Sequence, residues 1–104
     1  MSADRMSASL RPPVAPLLSA VASGDIAQAT GLLDHGAAVD ARDELGRTAL
    51  MLAVALDRPD IIRLMLDRGA DPNAVDNAGQ TPLQQAKQKN LRDVAALLER
   101  AGAR

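Results

Sequence analysis

Apolar residues recur along this chain in short blocks with helical spacing. Leu50, Ala53 and Val54 share one face of a helix, and Ile61, Ile62, Met65 and Leu66 share one face of a second helix close behind it. The pattern repeats. A shift of 33 residues brings Gly36, Gly69 and Gly102 into register, each followed by alanine at Ala37, Ala70 and Ala103. The same shift aligns Leu17, Leu50 and Leu83, then Ala20, Ala53 and Ala86, then Leu32, Met65 and Leu98. The polar positions keep the register too: Asp43 meets Asp76, Gly46 meets Gly79 and Thr48 meets Thr81. Self-similarity at a fixed period of this size predicts a stack of identical units, none able to bury its apolar faces alone. The boundaries fall at about 14–41, 42–74 and 75–104. Residues 1–13, rich in Ser, Arg and Pro, read as a flexible leader.

The polar residues between the blocks say how each unit turns. Gly24, Asp57 and Asn90 stand one repeat apart between the two helices, and these residue types most readily take the left-handed backbone that ends a helix. Pro59 suits the first position of the second helix, where its missing N–H costs nothing, and Asp60 and Asp93 complement the helix dipole there. Each unit is therefore expected to be a pair of antiparallel helices, closed by Gly36, Gly69 or Gly102. Beyond those glycines, Asp43 with Gly46 and Asp76 with Gly79 supply tight-turn chemistry.

The openings Asp43-Glu44-Leu45-Gly46-Arg47-Thr48-Ala49-Leu50 and Asp76-Asn77-Ala78-Gly79-Gln80-Thr81-Pro82-Leu83, with closings such as Met65-Leu66-Asp67-Arg68-Gly69-Ala70, resemble the ankyrin family over about residues 14–104. Ala49 stands where the family has proline, and Met51 and Gln84 stand where it has histidine, which weakens one buried polar network without threatening the fold. The resemblance implies an all-α solenoid of helix-turn-helix units joined by β-hairpin loops. Unit three carries Gln84, Gln85, Lys87 and Glu99 in place of Met51, Leu52, Val54 and Leu66, which reads as a C-terminal cap. Unit one carries Arg11-Pro12-Pro13 where a turn would stand and Gly31 where its neighbours have Leu64 and Leu97, which reads as an N-terminal cap with a loosely packed second helix.

Composition narrows the function. Twelve Lys and Arg against thirteen Asp and Glu, a net charge of −1, lack the basic excess of a nucleic-acid-binding surface. The chain has no cysteine, which excludes disulfides, thiolate metal sites and cysteine nucleophiles, and no aromatic residue, so any interface draws on Leu, Met, Val and Arg. No apolar run reaches membrane-spanning length. Val14-Ala15-Pro16-Leu17-Leu18 followed by Ala20-Val21-Ala22 imitates a signal peptide, but the run is short, is broken by Pro16 and falls in register with later helices; a cytoplasmic location without export is expected.

Catalysis finds little to stand on. His35, the only histidine, sits at a helix end where it can meet free carbonyls and the dipole, without a positioned partner for base chemistry. Asp71, Asn73 and Asp76 lie close together but lack the bidentate glutamate of a calcium loop, so turn chemistry accounts for them. Asp60, Arg63 and Asp67 alternate in sign at helical spacing, as a solvated face with weak ion pairs would. No catalytic residue, metal site or cofactor is assigned.

What the resemblance adds is a recognition surface of hairpin tips and adjoining first helices. Carried over position by position, it falls on Arg42, Glu44, Leu45 and Arg47 with Ala55 and Leu56, and in the next unit on Val75, Asn77, Ala78 and Gln80 with Gln88 and Lys89. Leu45 and Leu56 are either anchors ringed by Arg42, Glu44 and Arg47 or ordinary surface leucines, and Leu56 has the further option of packing inward. The expected function is non-catalytic binding of another protein, with self-assembly into a homo-oligomer as the alternative. Nucleic acid and membrane are not expected partners.

Overall fold

A computed structural model describes residues 15–104, and the expected leader, Arg11-Pro12-Pro13 and Val14 lie outside it. Six helices follow one another in three pairs: α1 (Pro16–Ala22) with α2 (Ile26–Asp34), α3 (Ala49–Ala55) with α4 (Pro59–Asp67), and α5 (Pro82–Gln88) with α6 (Arg92–Arg100). The first helices α1, α3 and α5 pack side by side in one row, and α2, α4 and α6 form a looser second row against them. Alanine makes the first row tight. Ala20, Ala53 and Ala86, one per unit, are buried, and their small side chains let neighbouring backbones approach closely. Leu17, Leu50, Leu83, Ile61, Ile62, Met65, Val94 and Leu98 fill the core between the rows. This all-α repeat architecture matches the expectation.

The turns are made three times over by the same bonds. After the first helix, the amides of Asp25, Arg58 and Leu91 reach back to the carbonyls of Ala20, Ala53 and Ala86 at 2.9, 3.0 and 2.9 Å. That long-reaching bond requires a left-handed residue just before it, and Gly24, Asp57 and Asn90 supply φ values of 74°, 53° and 58°. The second helices end alike: Ala37, Ala70 and Ala103 donate to Leu32, Met65 and Leu98 at 2.9, 2.9 and 3.0 Å, after glycines in the left-handed region. His35 caps α2, its Nδ1–H donating to the Gly31 carbonyl at 2.7 Å, as expected of a helix-end histidine.

The hairpin loops between units carry little β structure. Among the described residues no strand forms, and one isolated antiparallel bridge, between Arg42 and Thr48, is all that remains of a ladder. The reason is local. Thr48 and Thr81 end the return arm as the N-caps of α3 and α5, accepting from Met51 and Gln84 amides, so no residues are left for a second rung. At Thr81 the Gln84 side chain accepts in return from the Thr81 amide, completing a capping box that Met51 cannot make.

The two outer units differ from the central one as expected. Gln84, Lys87 and Glu99 are exposed where Met51 and Val54 are buried and Leu66 is half-buried. In α2 only Ala29 is buried, and a side chain built on Gly31 would meet open space.

Candidate functional site

The twelve positions carried over from the family form six pairs, each joining equivalent places in units two and three. The hairpin tips that hold eight of them are braced for an identifiable reason. Asp43 Oδ1 accepts the amides of Leu45 and Arg47, both at 2.9 Å, while its backbone bonds Arg47 and Gly46 across the turn. Asp76 repeats the arrangement with Ala78 and Gln80 at 2.9 and 3.0 Å. These are the Asx-turn bonds that make aspartate a turn former. Burial pushes the Asp43 carboxyl up, but the Arg47 amide and guanidinium and the Leu45 amide outweigh it and hold the group below its ordinary value.

Neighbouring tips are tied to each other. Asn77 donates its amide to the Leu45 carbonyl at 2.9 Å and its Nδ2 to the Glu44 carbonyl at 3.1 Å. Gly46 lies so close beneath Asn77 that an added Cβ would collide with its side chain, and the left-handed backbone there also favours glycine. Arg42 donates to the carbonyls of Gly46 and Val75 at 2.8 and 2.5 Å. Along the first helices, Lys89 Nζ donates to the Ala55 carbonyl at 3.2 Å, and Gln80 reaches Gln88 at 3.3 Å.

These bonds divide the expected binding residues into two groups. Arg42, Asn77 and Lys89 act as ties between units, Arg47 is engaged by Asp43 at 2.9 Å, and Gln80 and Gln88 are bonded to each other. Glu44, Leu45, Ala78, Val75 and Leu56 leave their side chains at the surface, with Ala55 half-buried. Leu45 is 57 % exposed, Val75 47 % and Leu56 46 %, so the inward packing considered for Leu56 does not occur.

Some contacts lie outside the sequence expectation. Asp40 Oδ1 accepts the Asp71 amide and Asn73 Oδ1 accepts the Arg104 amide, both at 3.0 Å; since Asp40 and Asn73 are themselves one repeat apart, their register was the signal to look for. Asp34 pairs with Arg68 at 2.6 Å across units one and two. The Asp60, Arg63 and Asp67 side chains are exposed, but the ion pair of that face belongs to Arg58, whose guanidinium meets both Asp60 oxygens at 3.2 and 2.9 Å and holds that carboxyl below its ordinary value. Arg58 stands at the N-cap, outside helical geometry, so the spacing rule for helix faces does not govern it. Among the described residues no group of His, Asp and Glu could hold a metal, and no helix is long and apolar enough to cross a membrane.

Three helical pairs in register, tied by repeated backbone bonds and packed into one shared core, define a repeat solenoid. A sequence model of ankyrin repeats in three copies matches residues 17–104, and the chain belongs to the ankyrin-repeat family. It is also 41 % identical over 46 residues to an ankyrin repeat protein of Rickettsia prowazekii (strain Madrid E), an alignment that takes in 44 % of this chain and 43 % of that relative. The chain thus spans less than half the length of the curated relative it matches. Ankyrin repeats are in general protein–protein interaction modules, and the family is generally non-catalytic.

Proposed function

We propose that the chain binds another protein, without catalysis, through the hairpin tips and first-helix ends of units two and three. The observation that carries this reading is the trio Leu45, Val75 and Leu56: large apolar side chains about half exposed, at positions where the repeat does not need them. The Leu45 and Val75 carbonyls are held by bonds between units, and Leu56 caps a helix whose Ala55 carbonyl is tied to Lys89, so little further ordering is required on binding, which is a cost that weakens an interface. Glu44, Arg47 and Gln80 supply a polar rim around them. Without aromatic residues the affinity is expected to be modest.

A cytoplasmic site of action fits the same reading. Leu17 and Leu18, from the run that imitates the core of a signal peptide, and Val21, from the imitation cleavage site, are buried in α1, and cleavage after Ala22 would remove a helix from the stack.

The test is capture by the tagged wild-type chain and by a Leu45→Ser, Leu56→Ser variant, compared by mass spectrometry after both pass a melting control. The expected result is a partner depleted about tenfold or more from the variant, the loss typical of a central apolar anchor. Full-strength capture by the variant would sink the anchor assignment. Light scattering on the same samples separates a foreign partner from self-assembly, since a strict monomer at high concentration excludes the homo-oligomer.

A further inference from the structure

The second row of helices carries a groove that the hairpin surface does not include. Two depressions of about 510 and 310 Å³ lie between α4 and α6, and they share Pro59 and Asp93 as a common wall. No hairpin residue lines either one. The groove exists because the second helices stand further apart than the alanine-packed first helices, and because α6 turns a second stripe outward. Asp93, Ala96, Leu97 and Arg100 follow one another at intervals of three, one and three residues, one face of a helix distinct from the buried stripe of Val94 and Leu98. Pro59 and Arg63 face it from α4, four residues apart.

The arginines single this groove out. Arg42, Arg47, Arg58 and Arg68 each have a carbonyl or carboxylate partner. Among the described residues, Arg63, Arg92, Arg100 and Arg104 have no carboxylate within ion-pair distance, and the first three of these line the groove. Charge also changes sign along it. At the far end Arg63 and Arg100 flank an apolar floor of Pro59, Ala96 and Leu97; Asp93 lines both depressions, and at the turn end Asp57 joins it opposite Arg92.

We propose that this groove is a second docking surface, and that its occupant is an acidic peptide segment of another protein with an apolar side chain beside its carboxylates. The carboxylates meet Arg63 and Arg100, the apolar side chain lies on Pro59 and Leu97, and Asp93 repels further acidic residues toward the turn end, which fixes the direction of the segment. Guanidinium groups suit this task because each presents several donors in a fork matched to carboxylate. The apolar floor favours such a segment over a bare anion. This surface is independent of the hairpin reading, since the two share no residue.

The experiment uses the full chain and a fluorescein-labelled peptide of glutamates with two leucines one helical turn apart, against a counterpart in which lysines replace the glutamates. Anisotropy is expected to show the acidic peptide binding at least about tenfold more tightly than the basic one, weakening with salt as charge-steered contacts do. Amide chemical-shift changes should centre on Arg63, Asp93, Leu97 and Arg100. The Arg63→Glu, Arg100→Glu variant should lose about tenfold in affinity, while Leu45→Ser, Leu56→Ser leaves it unchanged. Should the reversed variant melt early, Arg63→Gln, Arg100→Gln should still lose several-fold. Equal binding of the two peptides, binding of neither, shifts centred on the hairpins, equivalent shifts with inorganic phosphate alone, or charge variants that bind as the wild type does would each overturn the proposal.

Discussion

At Asp43 one side chain performs three tasks: it accepts the Leu45 and Arg47 amides, it pairs with the Arg47 guanidinium, and it thereby fixes the tip that carries Leu45. The carboxylate form makes these bonds best, and the folded chain holds Asp43 below its ordinary value. The sign follows. A depressed carboxyl contributes stability that is complete above the unfolded value of about 3.9 and is lost as pH falls through the folded value. Asp43→Ala should therefore cost about 1–2 kcal/mol at neutral pH, within the range for hydrogen bonds to a charged group and discounted for the half-exposed Arg47. The gap between the two chains should narrow as pH drops below about 4. Urea titrations of both at neutral and acid pH check it, and a gap that stays constant or widens would show that the carboxylate charge contributes nothing. This residue was legible in advance, because an aspartate three residues before a glycine is a local turn signal. Arg58 and Arg68 were not, since their partners depend on where the chain passes after a turn or on how one unit sits on the next.

Elements inherit that division. The helices, their order and their ends could be read from the sequence, because apolar spacing and the left-handed positions Gly24, Asp57 and Asn90 act within a few residues. The hairpin loops stay short of strands because Thr48 and Thr81 are committed to capping the helices that follow. Element α2 shows where local composition sets stability. Gly31 lies in mid-helix with ordinary backbone angles and open space around its missing Cβ, and its carbonyl, which holds His35, is retained by any substitution. Gly31→Ala should then stabilise the chain by about 1 kcal/mol, from helix propensity and reduced freedom of the unfolded chain. A rise of about 4–8 °C in melting midpoint is the expected reading for a domain of this size. No rise, or a fall, would mean that α2 does not limit the stability of the stack.

On the scale of the whole molecule, the site was legible as a set of positions and only partly as a set of roles. The 33-residue register located the tips and first-helix ends, yet it did not show that Arg42, Asn77 and Lys89 are occupied in tying one unit to the next, nor that the second row opens into a groove. Those facts arise between units, and the same interfaces set how the molecule unfolds. Each unit is buried by its neighbours, so stability is a sum of weak intrinsic terms and strong interfaces, and the centre should be the last part to open. Ile62, fully buried on α4, belongs to a single core cluster drawn from all six helices. Ile62→Ala should cost about 2–4 kcal/mol and lower hydrogen-exchange protection throughout α3, α4 and α5 together. Gly31→Ala, by contrast, should raise protection chiefly in α2, which carries a single buried residue and opens more cheaply than the centre. Loss of protection confined to α4 in the Ile62 variant would mean that the units fold as independent hairpins. The inter-unit bonds that hold the hairpin tips would then be too weak to make them one surface.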